Sequence, residues 1–460
     1  MEQRALRENC GVFGVWSRSI GVAQTVFYGL YVLQHRGQES AGMCLTDGTS
    51  LFSHKGMGLV SQIFTEEHLF ATHPSIAGIG HTRYATAGES ILENAQPLEM
   101  PDPFGVPVAL GHNGTVVNAD EVRSDLQEQG YFFVSQTDTE VLMRYLLTHG
   151  RSWKERFSLL MGRMSAAYSL VILTPDRLMA ARDPYGIRPL CVGKIEGGFV
   201  VASESCALAP IGAEYLRAVR PGEVVMIDDS GMQSMQVASS PRHAHCSFEH
   251  IYFARPDSLL DESEVYGTRV RLGEELAREH PADADIVIGV PDSGTPHAIG
   301  YAEGSGIPYA EGLIKNRYVQ RTFIAPDQRL RDLGARLKYG PISKTIAGKR
   351  VVVVDDSIVR GTTMPNIVSL LRDSSAREVH VRVAAPPIQH PCYLGVDMAS
   401  YSELIAAQHS TDEICEQVGA DSLAYLSVEG LRRVVAPDTL FCDACFTGEY
   451  PVDVSHHSVL

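Results

Sequence analysis

Two adjacent carboxylates, Asp355-Asp356, follow Val351-Val352-Val353-Val354 and precede Ser357-Ile358-Val359-Arg360-Gly361-Thr362-Thr363. Four β-branched apolar residues in a row fit a strand buried on both faces, as in a parallel sheet. Asn366 to Leu371 then reads as a helix. Such a strand–loop–helix aims backbone N–H groups past the strand end, where the helix dipole favours an anion. Hydroxyls at Ser357, Thr362 and Thr363 add donors for phosphate oxygens. The two acids suit ribose hydroxyls or a hard cation such as Mg²⁺. Neither Walker nor dinucleotide glycine spacing is present. The residues alone therefore leave two readings, a phosphate-and-sugar site or an ordinary crossover with a chance Asp pair.

A second set lies near the start of the chain. Cys10 opens the apolar run Cys10-Gly11-Val12-Phe13-Gly14-Val15, where a Cys by itself is most often a small buried hydrophobe. If Met1 to Asn9 is a removable leader, Cys10 gains a free α-amine beside its thiol. Such an amine titrates near ~7.7–8 and suits proton abstraction at neutral pH. Further along lie Leu33-Gln34-His35-Arg36-Gly37-Gln38-Glu39-Ser40, Gly80-His81-Thr82-Arg83-Tyr84-Ala85-Thr86, Gly111-His112-Asn113-Gly114 and Gln136-Thr137-Asp138-Thr139-Glu140. Taken singly, Asn113-Gly114 fits a hairpin turn, Arg83 a surface ion pair, and Asp138 a cap on a helix from Thr139 to Leu147. A third set is Cys442-Asp443-Ala444-Cys445, whose spacing serves redox chemistry, zinc or plain structure.

These residues need a scaffold, and 460 residues are enough for two domains. With 44% hydrophobic and 20% charged residues the chain has the composition of a globular protein. A net charge of −16 argues against nucleic-acid or anionic-membrane partners. No apolar run approaches the ~20 residues of a membrane span. Met1 to Asn9 carries two Arg and two Glu and is not a secretory signal. A cytoplasmic location is expected, in which nine Cys serve as thiols, catalysts or metal ligands and not as a disulfide framework.

The first half reads as short strands between turns, among them Ser169–Thr174, Phe199–Ala202 and Glu223–Ile227. Ala238 to His245 is polar and turn-prone, which places a boundary near residue 240. Beyond it helices and strands alternate: a helix from Gly267 to His280, a strand from Ile286 to Val290, a helix from Ala298 to Glu303, a strand within Ile307–Leu313, the Val351 strand and another at Glu378–Val383. That rhythm predicts a mainly parallel α/β sheet. Between Lys315 and Lys338 lie seven basic side chains against two Asp, a local reversal of the overall charge.

The Asp355-Asp356 stretch resembles the fingerprint by which type I phosphoribosyltransferases hold phosphoribosyl pyrophosphate (PRPP). The Cys10, Gly37, Arg83 and Asn113-Gly114 segments resemble class II glutamine amidotransferases of the N-terminal-nucleophile group, as does Asp183-Pro184-Tyr185-Gly186-Ile187-Arg188-Pro189. Lys315-Asn316-Arg317-Tyr318-Val319 and Arg321-Thr322-Phe323-Ile324 resemble a loop of the amidophosphoribosyltransferases. Cys246, Cys392, Cys442 and Cys445 resemble cluster ligands in the iron–sulfur subgroup of that family.

The resemblance implies an αββα sandwich over residues 10–240, a phosphoribosyltransferase parallel-sheet domain over 241–440 and a cluster-binding tail over 441–460. It implies Cys10 as nucleophile, Asn113 and Gly114 as oxyanion hole, and Arg83, Asp138 and Gly37 around glutamine. Asp355, Asp356, Ser357, Val359, Arg360, Gly361, Thr362, Thr363 and Lys338 would bind PRPP. Ser293, Asp355 and Asp356 would associate with Mg²⁺, and the four named cysteines would bind a 4Fe–4S cluster, zinc being the alternative on chemistry alone. Glutamine-dependent amination of PRPP to 5-phosphoribosylamine, with ammonia passed internally, is the implied reaction. Purine nucleotides as feedback inhibitors and a homotetramer are implied as well. Met364-Pro365-Asn366 departs from the family's polar or basic residues at that point. The rivals are a sugar-phosphate aminating enzyme, a PRPP-sensing regulator with a dead transferase site, and a glutaminase whose second domain is only a scaffold.

Overall fold

The computed structural model describes residues 10–66, 69, 75–84, 89–240, 242–316, 338–396, 398, 400–435 and 441–455. The expected leader, Met1 to Asn9, and most of the basic stretch, residues 317–337, lie outside these.

The first half is built on two antiparallel sheets of seven and six strands. Gly11–Ser17 lies inside the seven-stranded sheet, between Gly198–Ala202 and Ala77–Arg83. Its alternation shows why the strand is apolar throughout. Phe13 and Val15 point to the outer layer formed by the helix Val22–Val32, while Val12 and Trp16 meet the second sheet at Val171, Leu173 and Leu178. The six-stranded sheet includes Pro107–Val116, Ala166–Thr174, Arg177–Arg182 and Glu223–Asp228. Its outer face is covered by the helices Ala119–Glu128, Asp138–Thr148 and Trp153–Arg163. Helix, sheet, sheet and helix are stacked, the expected four-layer sandwich.

The second half has a four-stranded parallel sheet in the order Ile286–Gly289, Arg350–Asp355, Glu378–Val383, Ser422–Tyr425. Val352 and Val354 face the helices Val265–Glu279 and Gly294–Ser305, while Val351 and Val353 face Thr363–Asp373 and Thr411–Val418. Burial on both faces accounts for the unbroken valine run. The stretch Ile307–Leu313 differs from expectation. Tyr309 forms only an isolated bridge to Val287, and Leu313–Lys315 pairs with Tyr339–Pro341 in a separate ribbon. The fourth strand is instead Ser422–Tyr425, whose mixed sequence suits a sheet edge.

One core joins the halves. Val117, Ala167 and Ile187 pack with Phe248, Leu272, Val354 and Phe446, so the tail and both halves share a single apolar cluster. His245–Cys246 pairs in parallel with Phe441–Cys442, fastening the tail to the segment just past residue 240.

Candidate active sites and cysteine cavity

Cys10, Arg83, Gly114 and Asp138 line one polar pocket, together with Tyr84, Gln96, His112, Thr137 and Thr139. Cys10 stands at the head of its strand, and its Sγ donates to the Tyr84 carbonyl at 3.4 Å. Burial pushes the thiol above its ordinary value, a rise that the Tyr84 contact and the Arg83 and Arg36 charges only partly offset. A thiol held protonated in this way needs a base to become a nucleophile.

Gly37 has a steric reason to be glycine. A Cβ there would lie 2.6–2.7 Å from the backbone of Thr82 and Arg83. Gly114 is not in a hairpin turn: it lies inside Pro107–Val116 opposite Tyr168, at φ +151°, where a Cβ would meet the Ala167 carbonyl oxygen at 1.9 Å. Asp138 begins its helix but does not cap it. Thr137 is the cap, accepting from the Glu140 N–H at 3.3 Å, while Asp138 accepts from the Val116 N–H at 2.9 Å and faces the pocket.

Asn113 shows how its neighbours orient it. The Val12 N–H donates to Ser203 Oγ at 2.9 Å, and an Asn113 amide end sits 3.4 Å from the same oxygen. The assigned orientation leaves the buried Asn113 Oδ1 without a partner. Exchanging the two amide ends lets the Ser203 hydroxyl donate to Oδ1 and frees Nδ2 to donate to a developing oxyanion. Ser203 is thus a site residue that sequence reasoning missed, and nothing in its local sequence marked it. His112 was missed although it lies within a quoted motif. Its backbone N–H donates to Gln96 Oε1 at 2.7 Å, and its ring Nδ1 lies 3.1 Å from Thr139 Oγ1. Burial holds its ring below the ordinary histidine value, hence neutral.

Asp355 and Asp356 sit at the end of Arg350–Asp355, both nearly inaccessible. Burial pushes both carboxyls up, and for Asp355 the neighbouring Asp356 charge adds to the rise. Ser293 and Ser357 hydrogen-bond Asp356, the latter at 2.6 Å, and Lys338 lies close enough for its charge to favour the ionised Asp355. Two buried acids that repel each other, with a hydroxyl at hand, fit an oxygen-preferring cation. The Val359–Thr363 turn is held from behind: the Ile405 N–H donates to the Val359 carbonyl at 2.9 Å, and Arg360 pairs with Glu403 at 3.2 Å. Gly361 adopts φ +68° against Ile405. Thr362 and Thr363 are exposed where the helix Thr363–Asp373 begins, leaving its first N–H groups open to an anion. Pro365 falls in the first turn, where a missing N–H breaks no helical bond.

Cys246, Cys392, Cys442 and Cys445 line one mostly apolar cavity with Arg188, Phe248, Leu394 and Tyr450. The paired strands set Cys246 beside Cys442. The Leu394 N–H donates to Cys392 Sγ at 3.4 Å. Burial raises the Cys246 thiol to about 11 and lifts Cys442 and Cys445 further, with each thiol's neighbours adding to the rise. Among the described residues no group of three or more His, Cys, Asp or Glu is placed to hold a single metal ion. A cubane cluster instead takes one thiolate at each iron, so its ligands stand apart around a cavity. Four thiols around one cavity fit that donor set. Cys44, Cys191 and Cys206 are buried elsewhere and Cys415 is half-buried, as expected of ordinary thiols.

Two family models match, a glutamine amidotransferase domain over residues 81–210 and a phosphoribosyl transferase domain over residues 264–423. The chain is 50% identical over 455 residues to an amidophosphoribosyltransferase of Synechocystis sp., covering 97% of this chain and 92% of that one. It is 46% identical over 465 residues to the Bacillus subtilis amidophosphoribosyltransferase, covering 100% and 97%. The chain belongs to the amidophosphoribosyltransferase family. The B. subtilis glutamine PRPP amidotransferase, solved in complex with ADP and GMP, superposes with a TM-score of 0.91 over 97% of this chain and 98% of that one, at 46% identity. Membership explains why a glutamine pocket and a phosphoribosyl site share one chain, and it sets aside the readings as regulator or sugar-phosphate aminating enzyme.

Proposed function

We propose that the protein opens glutamine at Cys10 and uses the ammonia to displace pyrophosphate from PRPP, giving 5-phosphoribosylamine at the first committed step of purine synthesis. The observation that carries this reading is the pocket in which Cys10, Arg83, Asp138 and Gly114 converge, in a chain whose two halves share one core.

Arg83 offers a fork for the glutamine α-carboxylate and Asp138 a partner for its α-ammonium. Asn113 Nδ2 and the Gly114 N–H suit the oxyanion that appears as the thiol adds to the amide carbonyl. Removal of Met1 to Asn9 would give Cys10 the amine its raised thiol needs. At the second site Ser357 and the Val359–Thr363 turn would take the 5′-phosphate, with Asp355 and Asp356 on the ribose. Ser293, Asp355 and Asp356 would hold Mg²⁺, which supplies charge neutralisation for the departing pyrophosphate. Lys338 brings a cation to the same place. Ammonia attacks only when uncharged, so direct internal passage also spares it protonation.

Cys246, Cys392, Cys442 and Cys445 would hold a structural 4Fe–4S cluster that pins the tail to the joint. Purine nucleotides are proposed inhibitors, a reading supported by the ADP and GMP in the B. subtilis relative. A homotetramer in the cytoplasm completes the reading; no helix among the described residues is long and apolar enough to cross a membrane.

Incubation with amide-labelled glutamine, Mg²⁺ and PRPP tests the reaction: label in the sugar amine is expected, and label only in free ammonia would overturn it. Iron and sulfide analysis, with intact mass for the leader, tests the rest. Zinc in place of iron, or a fully active chain that keeps Met1 to Asn9, would contradict those two assignments.

A further inference from the structure

We propose that Gln96 is a positioning residue for glutamine opening: it locks the strand that carries the oxyanion donors to the start of the helix that carries Asp138. The inference rests on the glutaminase half of the reading above and adds the part that holds the two ends of the substrate pocket at one spacing.

Gln96 is buried, stands two residues before the edge strand Leu98–Pro101 of the six-stranded sheet, and lines the glutamine pocket. Its backbone is firmly seated. Lys55 Nζ donates to the carbonyl of the preceding residue, Ala95, at 2.8 Å. Gly42 lies so close to the Gln96 carbonyl oxygen that a Cβ there would overlap it.

The side chain spans two elements. Its Oε1 accepts the His112 N–H at 2.7 Å, and its Nε2 donates to Thr139 Oγ1 at 3.0 Å. The first bond decides which amide end is which, because a backbone N–H needs an oxygen opposite it. Thr139 Oγ1 therefore receives a proton from Gln96 and keeps its own for His112 Nδ1, 3.1 Å away. Each of the three bonds has a fixed direction, so Gln96, His112 and Thr139 have a single arrangement.

Each partner of Gln96 adjoins a residue of the site. His112 immediately precedes Asn113 and Gly114, and Thr139 immediately follows Asp138. Asp138 is itself tied to the same strand through Oδ2, which accepts the Val116 N–H at 2.9 Å. The helix Asp138–Thr148 is thus fastened to the strand Pro107–Val116 on both sides of the oxyanion donors, at residue 112 through Gln96 and at residue 116 directly. One tie alone would let the helix start pivot; two set its distance from Asn113 and Gly114. Glutamine carries its α-ammonium at one end and its reacting amide at the other. That distance therefore decides whether the carbonyl meets Cys10 Sγ and both donors at once. Donors set in advance need no reorganisation, and a misplacement of about 1 Å can cost ~10²-fold in rate.

The test uses the full-length protein with Gln96→Met, which keeps the side chain's length and removes both hydrogen bonds. Glutamate release is measured over a range of glutamine concentrations with PRPP and Mg²⁺ at saturation. The kcat should fall roughly 10–100-fold. KM for glutamine should move little, because Arg83 and Asp138 still hold the amino-acid head. A raised KM with kcat intact would make Gln96 a direct substrate contact and overturn the positioning role. A lower melting temperature with both constants unchanged would make it purely structural and overturn it equally. Thr139 supplies a second arm should Gln96→Met fail to fold. Thr139→Val removes the hydroxyl at nearly constant shape and should lower the same kcat, whereas Thr139→Ser keeps the hydroxyl and should stay near wild type. Equal kcat for these two variants overturns the proposal. If wild type itself releases no glutamate from glutamine, the glutaminase reading fails. A failure confined to the variants removes only the role of Gln96.

Discussion

The two sites of this chain are built by opposite means. Around Cys10 the site residues are held by other parts of the protein: Gly37 against the Arg83 backbone, Asp138 on the Val116 N–H, Asn113 beside Ser203. Around Asp355 the strand end holds two acids that repel each other, and the facing Thr362 and Thr363 are exposed. The first arrangement suits a reaction whose charge appears only in the transition state, where donors set in advance need no reorganisation. The second suits a substrate that brings its own charges and a metal, which complete the site on binding.

Removal of the nucleophile should separate the two most sharply. Cys10→Ala is expected to lower glutamine-dependent amination by roughly 10⁴-fold or more while ammonia-dependent amination persists; comparable loss of both would mean the sites are not separable. Asn113→Ala should lower glutaminase kcat by about 10²–10³-fold with a smaller change in KM, in steady-state assays of glutamate release. Ser203→Ala removes the neutral hydrogen bond that orients that amide, together with the acceptor of the Val12 N–H. About fivefold in the same kcat is expected, corresponding to ~1 kcal/mol. An effect as large as that of Asn113→Ala would place Ser203 in direct contact with substrate.

The acid pair makes the converse prediction, in stability. Both folded carboxyls titrate above their unfolded values, so the native state holds protons more tightly. Their ionisation therefore costs stability as pH rises from the ordinary carboxylate range through the raised folded values. Asp355→Asn should raise the melting temperature of ligand-free protein at neutral pH, by about 2–4 °C per kcal/mol relieved, and flatten its pH dependence. It should also abolish the stabilisation that Mg²⁺ with PRPP gives wild type. A melting temperature that falls would show the two carboxylates to be compensated within the protein itself.

Sequence legibility follows the same division. The Val351 run announced a doubly buried strand because period and composition agree there, and the Asp355-Asp356 loop is contiguous. The glutamine pocket needed the resemblance, since Cys10, Arg83, Asn113 and Asp138 come from different strands and a helix, and each has an ordinary reading alone. Ile307–Leu313 misled because apolar residues near a sheet also serve a ribbon and a single bridge. Glu249 was silent, as a buried ion pair with residues far off in the chain leaves no spacing to read.

The central claim is that two differently built sites act as one enzyme. Its most direct test measures glutamate and pyrophosphate release together, from glutamine and Mg²⁺, with and without PRPP. Matched release of both products in the presence of PRPP is the predicted result. Glutamate released without pyrophosphate would contradict the claim and reduce the parallel-sheet domain to a scaffold.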